Sequence, residues 1–162
     1  MKSQSSHNIR RIFLLVSASI LLVSVGSRVG IGDGQKSVIQ IAITGFRNNK
    51  GTARIALFKK EDGFPSEVDK AYWKGQALIT KQTCDISIVG IPYGAYAVSV
   101  YHDENGNDVL DKKWGIIPEE GFGASKNKRE LKRAPKFSEA AFIVNTDTTF
   151  VQVKIEYLFD KE

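Results

Sequence analysis

The segment Asp103-Glu-Asn105-Gly106-Asn107-Asp108-Val109-Leu110-Asp111 concentrates the side chains of this sequence best suited to chemistry. Asp103, Asn105 and Asn107 put oxygen at alternate positions, Val109 offers a backbone carbonyl and Asp111 a carboxylate. A tightly turning loop aims ligands at calcium with this alternate spacing. Hard oxygen donors suit a hard cation, whereas zinc takes nitrogen and sulfur. Two positions depart from the helical EF-hand loop: Asp108 stands where that loop has glycine, and Trp114 where it has a bidentate glutamate. An ion would therefore sit in a loop at the end of a sheet, bound weakly, with Glu119 or Glu120 as more distant ligands. The competing reading is a loop whose Asp and Asn side chains cap their own backbone amides.

Three neighbouring features carry less. His102 adjoins the loop as a conceivable base or ligand, but no second histidine lies near it, and a strand-end imidazole bonded to its surroundings is the simpler reading. Cys84 falls in the alternating run Cys84-Asp-Ile86-Ser-Ile88, which reads as a small buried hydrophobe and not as a nucleophile. Lys126 to Lys136 carries six basic residues against one acid. That run reads as a solvated loop, with an anionic polysaccharide, lipid head groups or an acidic protein as the alternatives.

The elements that must position these residues are short strands. Ile39, Ile41 and Ile43 share one face of a strand that starts near Ser37, with Gln40, Ala42 and Thr44 on the other. Asn48-Asn-Lys-Gly51 separates it from Thr52–Lys59, and the two are expected to form a hairpin. Further strands fit at 75–82, 84–91, 94–102, 139–144 and 148–158, the last with Val151, Val153, Ile155 and Tyr157 on one face. A short helical turn capped by Ser66 fits Pro65–Trp73. Residues 112–138 form a long structured loop in which Trp114, Ile116, Ile117 and Phe122 are expected to pack. Ile91-Pro-Tyr-Gly94-Ala-Tyr96 is either a plain turn or a tyrosine corner, in which the Tyr96 hydroxyl returns to backbone between sheets. About seven strands and no long amphipathic helix predict an all-β, antiparallel β-sandwich.

The chain of 162 residues, 42% hydrophobic and 25% charged, suits one domain. Lys2, Arg10 and Arg11 precede an apolar run from Ile12 to Val25, too short for the roughly 20 residues of a membrane span and right for a signal peptide. Residues 1–27 read as that signal, 28–36 as a linker and 37–160 as the sandwich; an uncleaved N-terminal anchor is the alternative. Losing the three leader cations lowers the net charge from +5 to +2, so the basic balance belongs partly to export. Nucleic-acid binding is not expected, because no aromatic residues interleave with basic ones. One cysteine excludes a disulfide scaffold.

Taken together, Gly51-Thr-Ala-Arg-Ile-Ala-Leu-Phe58, Ile91-Pro-Tyr-Gly-Ala-Tyr96, His102-Asp-Glu-Asn-Gly-Asn107 through Leu110-Asp111, Gly115-Ile116, Pro118-Glu-Glu-Gly-Phe-Gly123 and Phe137-Ser-Glu-Ala140 resemble an exported bacterial family, domain-of-unknown-function 2141. The resemblance covers about residues 38–158. It departs from the family pattern at Asp108, where Asn-Gly-x-Leu-Asp is usual, and at Lys126, which splits Ser125 from Asn127. The resemblance implies an exported, periplasmic or secreted domain with an immunoglobulin-like or transthyretin-like sandwich, and transfers no activity. The expected function is an accessory or binding module for a protein or glycan of the cell envelope, calcium-stabilised at the acidic loop, with recognition at residues 103–123. The alternatives are a hydrolase using Asp103, Asp111, Glu119 or Glu120 with His102, and a structural envelope subunit.

Overall fold

The computed structural model describes residues 34–126 and 133–159; the signal reading and most of the linker lie outside them, as do residues 127–132 of the basic run. Among the described residues the strands are β1 (Lys36–Thr44), β2 (Thr52–Phe58), β3 (Trp73–Leu78), β4 (Thr83–Pro92), β5 (Gly94–Asp103), β6 (Lys112–Lys113), β7 (Ile117–Pro118), β8 (Phe122–Ala124), β9 (Phe142–Val144) and β10 (Thr148–Lys154). One sheet runs β10-β1-β4. The second runs β3-β2-β5-β8, and β9 pairs with the first residues of β5. Ile39, Ile41, Ile43, Val151 and Val153 of the first sheet meet Ile55, Leu57, Val98 and Val100 of the second in one core. Branched apolar residues at alternate positions make one face of each sheet unwettable, and burying these two faces together drives the layering. The all-β sandwich is thus as expected.

Several details differ. β1 and β2 do not form a hairpin: they lie in different sheets, β1 pairing with β10 and β4, β2 with β3 and β5. The connection between them passes through Phe46, which is buried in the main core at 1% exposure. β1 and β10 are parallel, against an otherwise antiparallel pattern, because Asp147 delivers β10 to the end where β1 starts; Val38 N–H donates to Asp147 O at 2.9 Å. The turn in 65–73 is a single 3-10 turn at Val68–Lys70 without side-chain capping from Ser66. The strand expected from 139 begins at Phe142, since Phe137–Ala140 form one turn of helix, α1.

α1 belongs to a second small core on the outer face of the second sheet. Phe64 stands edge-on to both Phe58 and Phe137, beside Ala97, Ala124 and Ala140. This explains why β2 is buried on both faces towards its end. Glu139 holds the turn, accepting from the Lys136 amide at 2.7 Å and from Arg133 at 2.9 and 2.6 Å. Bonding to Arg133, then to the Lys136 amide, lowers its carboxyl from 4.5 to about 2. A depressed carboxylate contributes stability that is complete above the unfolded value and lost as pH falls through the folded one. Carboxyl NMR titration is therefore expected to follow Glu139 to about 2, with its bonds to Arg133 and the Lys136 amide lost between 4.5 and that value.

The tyrosine corner is present: Tyr96 is fully buried and its hydroxyl donates to Pro92 O at 2.9 Å. Cys84 lies in the main core, and burial, then the nearby Asp85 charge, push its thiol up to about 11. A thiolate is the reacting form, so native protein is expected to resist a maleimide at pH 8 and to take up label only when denatured. In the long loop, Ile117 and Phe122 are half-buried, but Trp114 and Ile116 do not pack. They are 77% and 80% exposed at the tip of the β6–β7 hairpin, where Trp114 and Gly115 both have positive φ. No helix among the described residues is long and apolar enough to cross a membrane.

Candidate functional site

The end of β5 sends His102 and Asp103 to opposite faces, as the two-residue period of a strand requires. His102 points into the core against Phe46, ring centroids 5.1 Å apart. Its Nε2 lies 2.7 Å from Lys50 O, which can only accept, so Nε2 carries the proton. Nδ1 then accepts from the Tyr157 hydroxyl at 2.6 Å, and that hydroxyl accepts from the Arg47 amide at 3.1 Å. Burial raises the Tyr157 phenol and keeps it a donor. Arg47 stacks over the Tyr157 ring at 4.4 Å and pairs with Glu104 at 2.5 Å. Every polar atom of the imidazole has a structural partner.

Asp103 is fully buried on the outer side. Its Oδ1 accepts from the amides of Gly106 and Asn107 at 2.8 and 3.1 Å; its Oδ2 accepts from Asp108 N–H at 3.1 Å and Arg54 Nε at 3.0 Å. Arg54 also pairs with Asp108. One carboxylate thus gathers three successive amides of the loop, and one guanidinium from β2 balances its charge. Gly51 lets the strands close over this joint: with φ +65, it lies so near Asp103 that a Cβ would strike the Asp103 carbonyl oxygen.

Glu120 ties the two ends of the loop. Fully buried, it accepts from Glu104 N–H at 2.8 Å through Oε1 and from Asp111 N–H at 3.1 Å through Oε2. Burial raises its carboxyl despite the lowering effect of the two amides. Within the loop, Asn105 Oδ1 accepts from Asn107 N–H at 3.1 Å and Asn107 Oδ1 from Val109 N–H at 2.9 Å. The amide groups of Asn105 and Asn107 donate to the two oxygens of Asp111 at 2.7 and 3.0 Å. The Tyr101 hydroxyl donates to Asp108 O at 2.8 Å. Asp108 has φ +67, so the position where a calcium loop uses glycine is left-handed here as well, a conformation Asp tolerates.

Of the five residues read as ligands, Asn105, Asn107 and Asp111 converge at the surface. Asp103 turns to the loop's amides, and Val109 is 60% exposed. Among the described residues no group of three or more His, Cys, Asp or Glu is arranged to hold a metal. Glu120 serves the loop as a strut, and Glu119 donates its amide to Asp111 O at 2.9 Å. The partners that hold the loop from outside it, Arg47, Arg54 and Tyr157, were not legible as site residues. Arg54 had only its outward place on β2, and Arg47 had no signal at all.

Beside the loop, the outer face of the second sheet forms a broad groove. Its floor is two cross-strand rows, Gln76-Arg54-Tyr101 and Lys74-Ala56-Ser99, and its walls are Pro65–Lys70, Asp108–Leu110 and Ile116–Pro118. The outer face is polar at its centre and apolar where α1 covers it.

Fold and site together define a β-sandwich with a carboxylate-capped loop at one end and an open groove on one sheet. Searches of the curated proteins and of the solved structures find no match. A family model does match, over residues 41–152, and the chain belongs to that family, described as an uncharacterized protein conserved in bacteria, DUF2141.

Proposed function

We propose that the chain is an exported, non-catalytic recognition module that binds a protein segment or glycan of the cell envelope in the groove beside the acidic loop. The observation that carries this is the engagement of Asp103 and Glu120 with backbone amides, which makes the loop a rigid wall and leaves neither carboxylate free for acid or base chemistry. The hydrolase alternative needs His102 to act with a neighbouring carboxylate. Against it, the imidazole faces the core and Asp103 faces the other way, while both ring nitrogens have partners. Recognition by loops and faces of a rigid scaffold is the common use of a sandwich.

Backbone shift mapping with cell-wall glycan fragments and with extended peptides tests this reading. Shifts clustered on Gln76, Ser99 and Tyr101, with the added compound chemically unchanged, are the expected result. Cleavage of a fragment, or shifts confined to another face, would overturn it.

A calcium ion at the loop is the second reading, and one observation favours it: Asn105, Asn107 and Asp111 meet at one point. Turning both amides end for end would bring their oxygens there. Three side chains fall short of the about six to eight oxygens calcium takes, so the self-capped loop is the primary reading. It predicts a melting midpoint unmoved by millimolar calcium, whereas the ion reading predicts a rise.

A further inference from the structure

The β6–β7 hairpin carries an exposed apolar group at its tip. Trp114 and Ile116 are 77% and 80% exposed, and Phe159 of the C-terminal segment is 40% exposed. Lys113 joins them, its ammonium 5.0 Å from the Trp114 ring centroid and 5.7 Å from that of Phe159. Trp114 has φ +53, a conformation a bulky residue rarely takes, and the tip is closed by Ile116 N–H donating to Lys113 O at 3.2 Å. Isolated exposed hydrophobics are ordinary, but a Trp and an Ile on one projecting turn form a feature with no internal packing purpose. The sequence from Lys112 to Pro118 holds two lysines and no carboxylate, and both lysines are exposed. Of the acids that flank it, Asp111 is bonded by the two Asn amides and Glu120 is buried against two backbone amides, while Glu119 is half-buried, so the two lysines are the most exposed charges of the tip.

We propose that this tip is a contact for the surface of an anionic bilayer, with Trp114 and Ile116 entering the headgroup region and Lys112 and Lys113 meeting lipid phosphates. Trp with flanking lysine suits the interface, where an amphipathic ring and a long cationic stem each keep one end wet. A projecting three-residue tip fits a yielding lipid surface, whereas a protein partner would have to offer a matching socket. Ile116 also edges the groove, but Trp114 and Lys113 lie outside its lining, so emission from Trp114 tests the tip separately from the groove.

The test uses the full chain with Trp73→Phe, which leaves Trp114 as its one tryptophan. Vesicles of phosphatidylethanolamine with phosphatidylglycerol are compared with vesicles of phosphatidylcholine. The readouts are Trp114 emission and its quenching by lipid-borne and by aqueous quenchers, which report burial of the ring itself even if the N-terminal apolar run tethers the chain. Expected on the anionic vesicles are a blue shift, quenching from the lipid side and protection from the aqueous side. All three should be lost in Lys112→Glu/Lys113→Glu and weaker on phosphatidylcholine. Unchanged emission with anionic vesicles in excess would overturn the proposal. So would a shift that follows protein concentration without lipid, which would assign the tip to a second copy of the chain, or a shift indifferent to the lysine charges.

Discussion

Asp103→Ala is expected to cost about 3–5 kcal/mol of folding stability, the range for removing one partner of a buried charge pair. The variant leaves the Gly106 and Asp108 amides without their acceptor, the Asn107 amide with Asn105 Oδ1 alone, and Arg54 without its counter-charge at Nε, all in partly buried surroundings. Unsatisfied donors are expensive because folding has already removed their water. Asp103→Asn keeps one acceptor oxygen and should recover part of the loss. Urea denaturation measures both variants: a lower midpoint at unchanged slope marks lost stability of the same fold. A change below about 1 kcal/mol, the level of an ordinary surface substitution, would contradict the capping role of this carboxylate.

Gly51→Ala is expected to cost about 2–4 kcal/mol, summing the strain of positive φ with the displacement of a packed neighbour. The added methyl would meet the Asp103 carbonyl, so β2 and β5 must part at the point where the loop is anchored. Gly106→Ala supplies the control. Gly106 also has positive φ, at +74, but nothing lies within 4 Å of a Cβ there, so only the conformational cost of about 1–2 kcal/mol remains. Equal melting of the two variants would mean that the close approach of Gly51 to Asp103 has no energetic weight.

The strands were legible because burial alternates in their sequences. The Ile39, Ile41, Ile43 row and the Val151, Val153, Ile155 row need no knowledge of partners to declare a buried face. Pairing was less legible. Phe46 lies in a connection, outside any alternating run, yet it is buried in the core where the chain passes from one sheet to the other. Trp114 misled for a related reason: its apolar surface suggests packing, while the tight turn at Trp114-Gly115 projects it outward. In the acidic loop the sequence presented oxygens at alternate positions and could not say whether they face an ion or amides. Local spacing is the same in both cases, and the difference lies in distant groups. Arg54 arrives from 49 residues away and Glu120 from 16, each by strand pairing or loop closure that no local pattern encodes.

Amide hydrogen exchange in the presence of a calcium chelator reads the loop bonds one by one. The account predicts slowed exchange at Gly106, Asn107 and Asp108, which donate to Asp103, and at Glu104 and Asp111, which donate to Glu120. In Asp103→Ala, Gly106 and Asp108 should become fast, and Asn107, which keeps the Asn105 side chain as acceptor, should change less. Exchange at free-peptide rates in the unaltered protein, slowing only when calcium is added, would contradict the self-capped loop and give those oxygens to the ion.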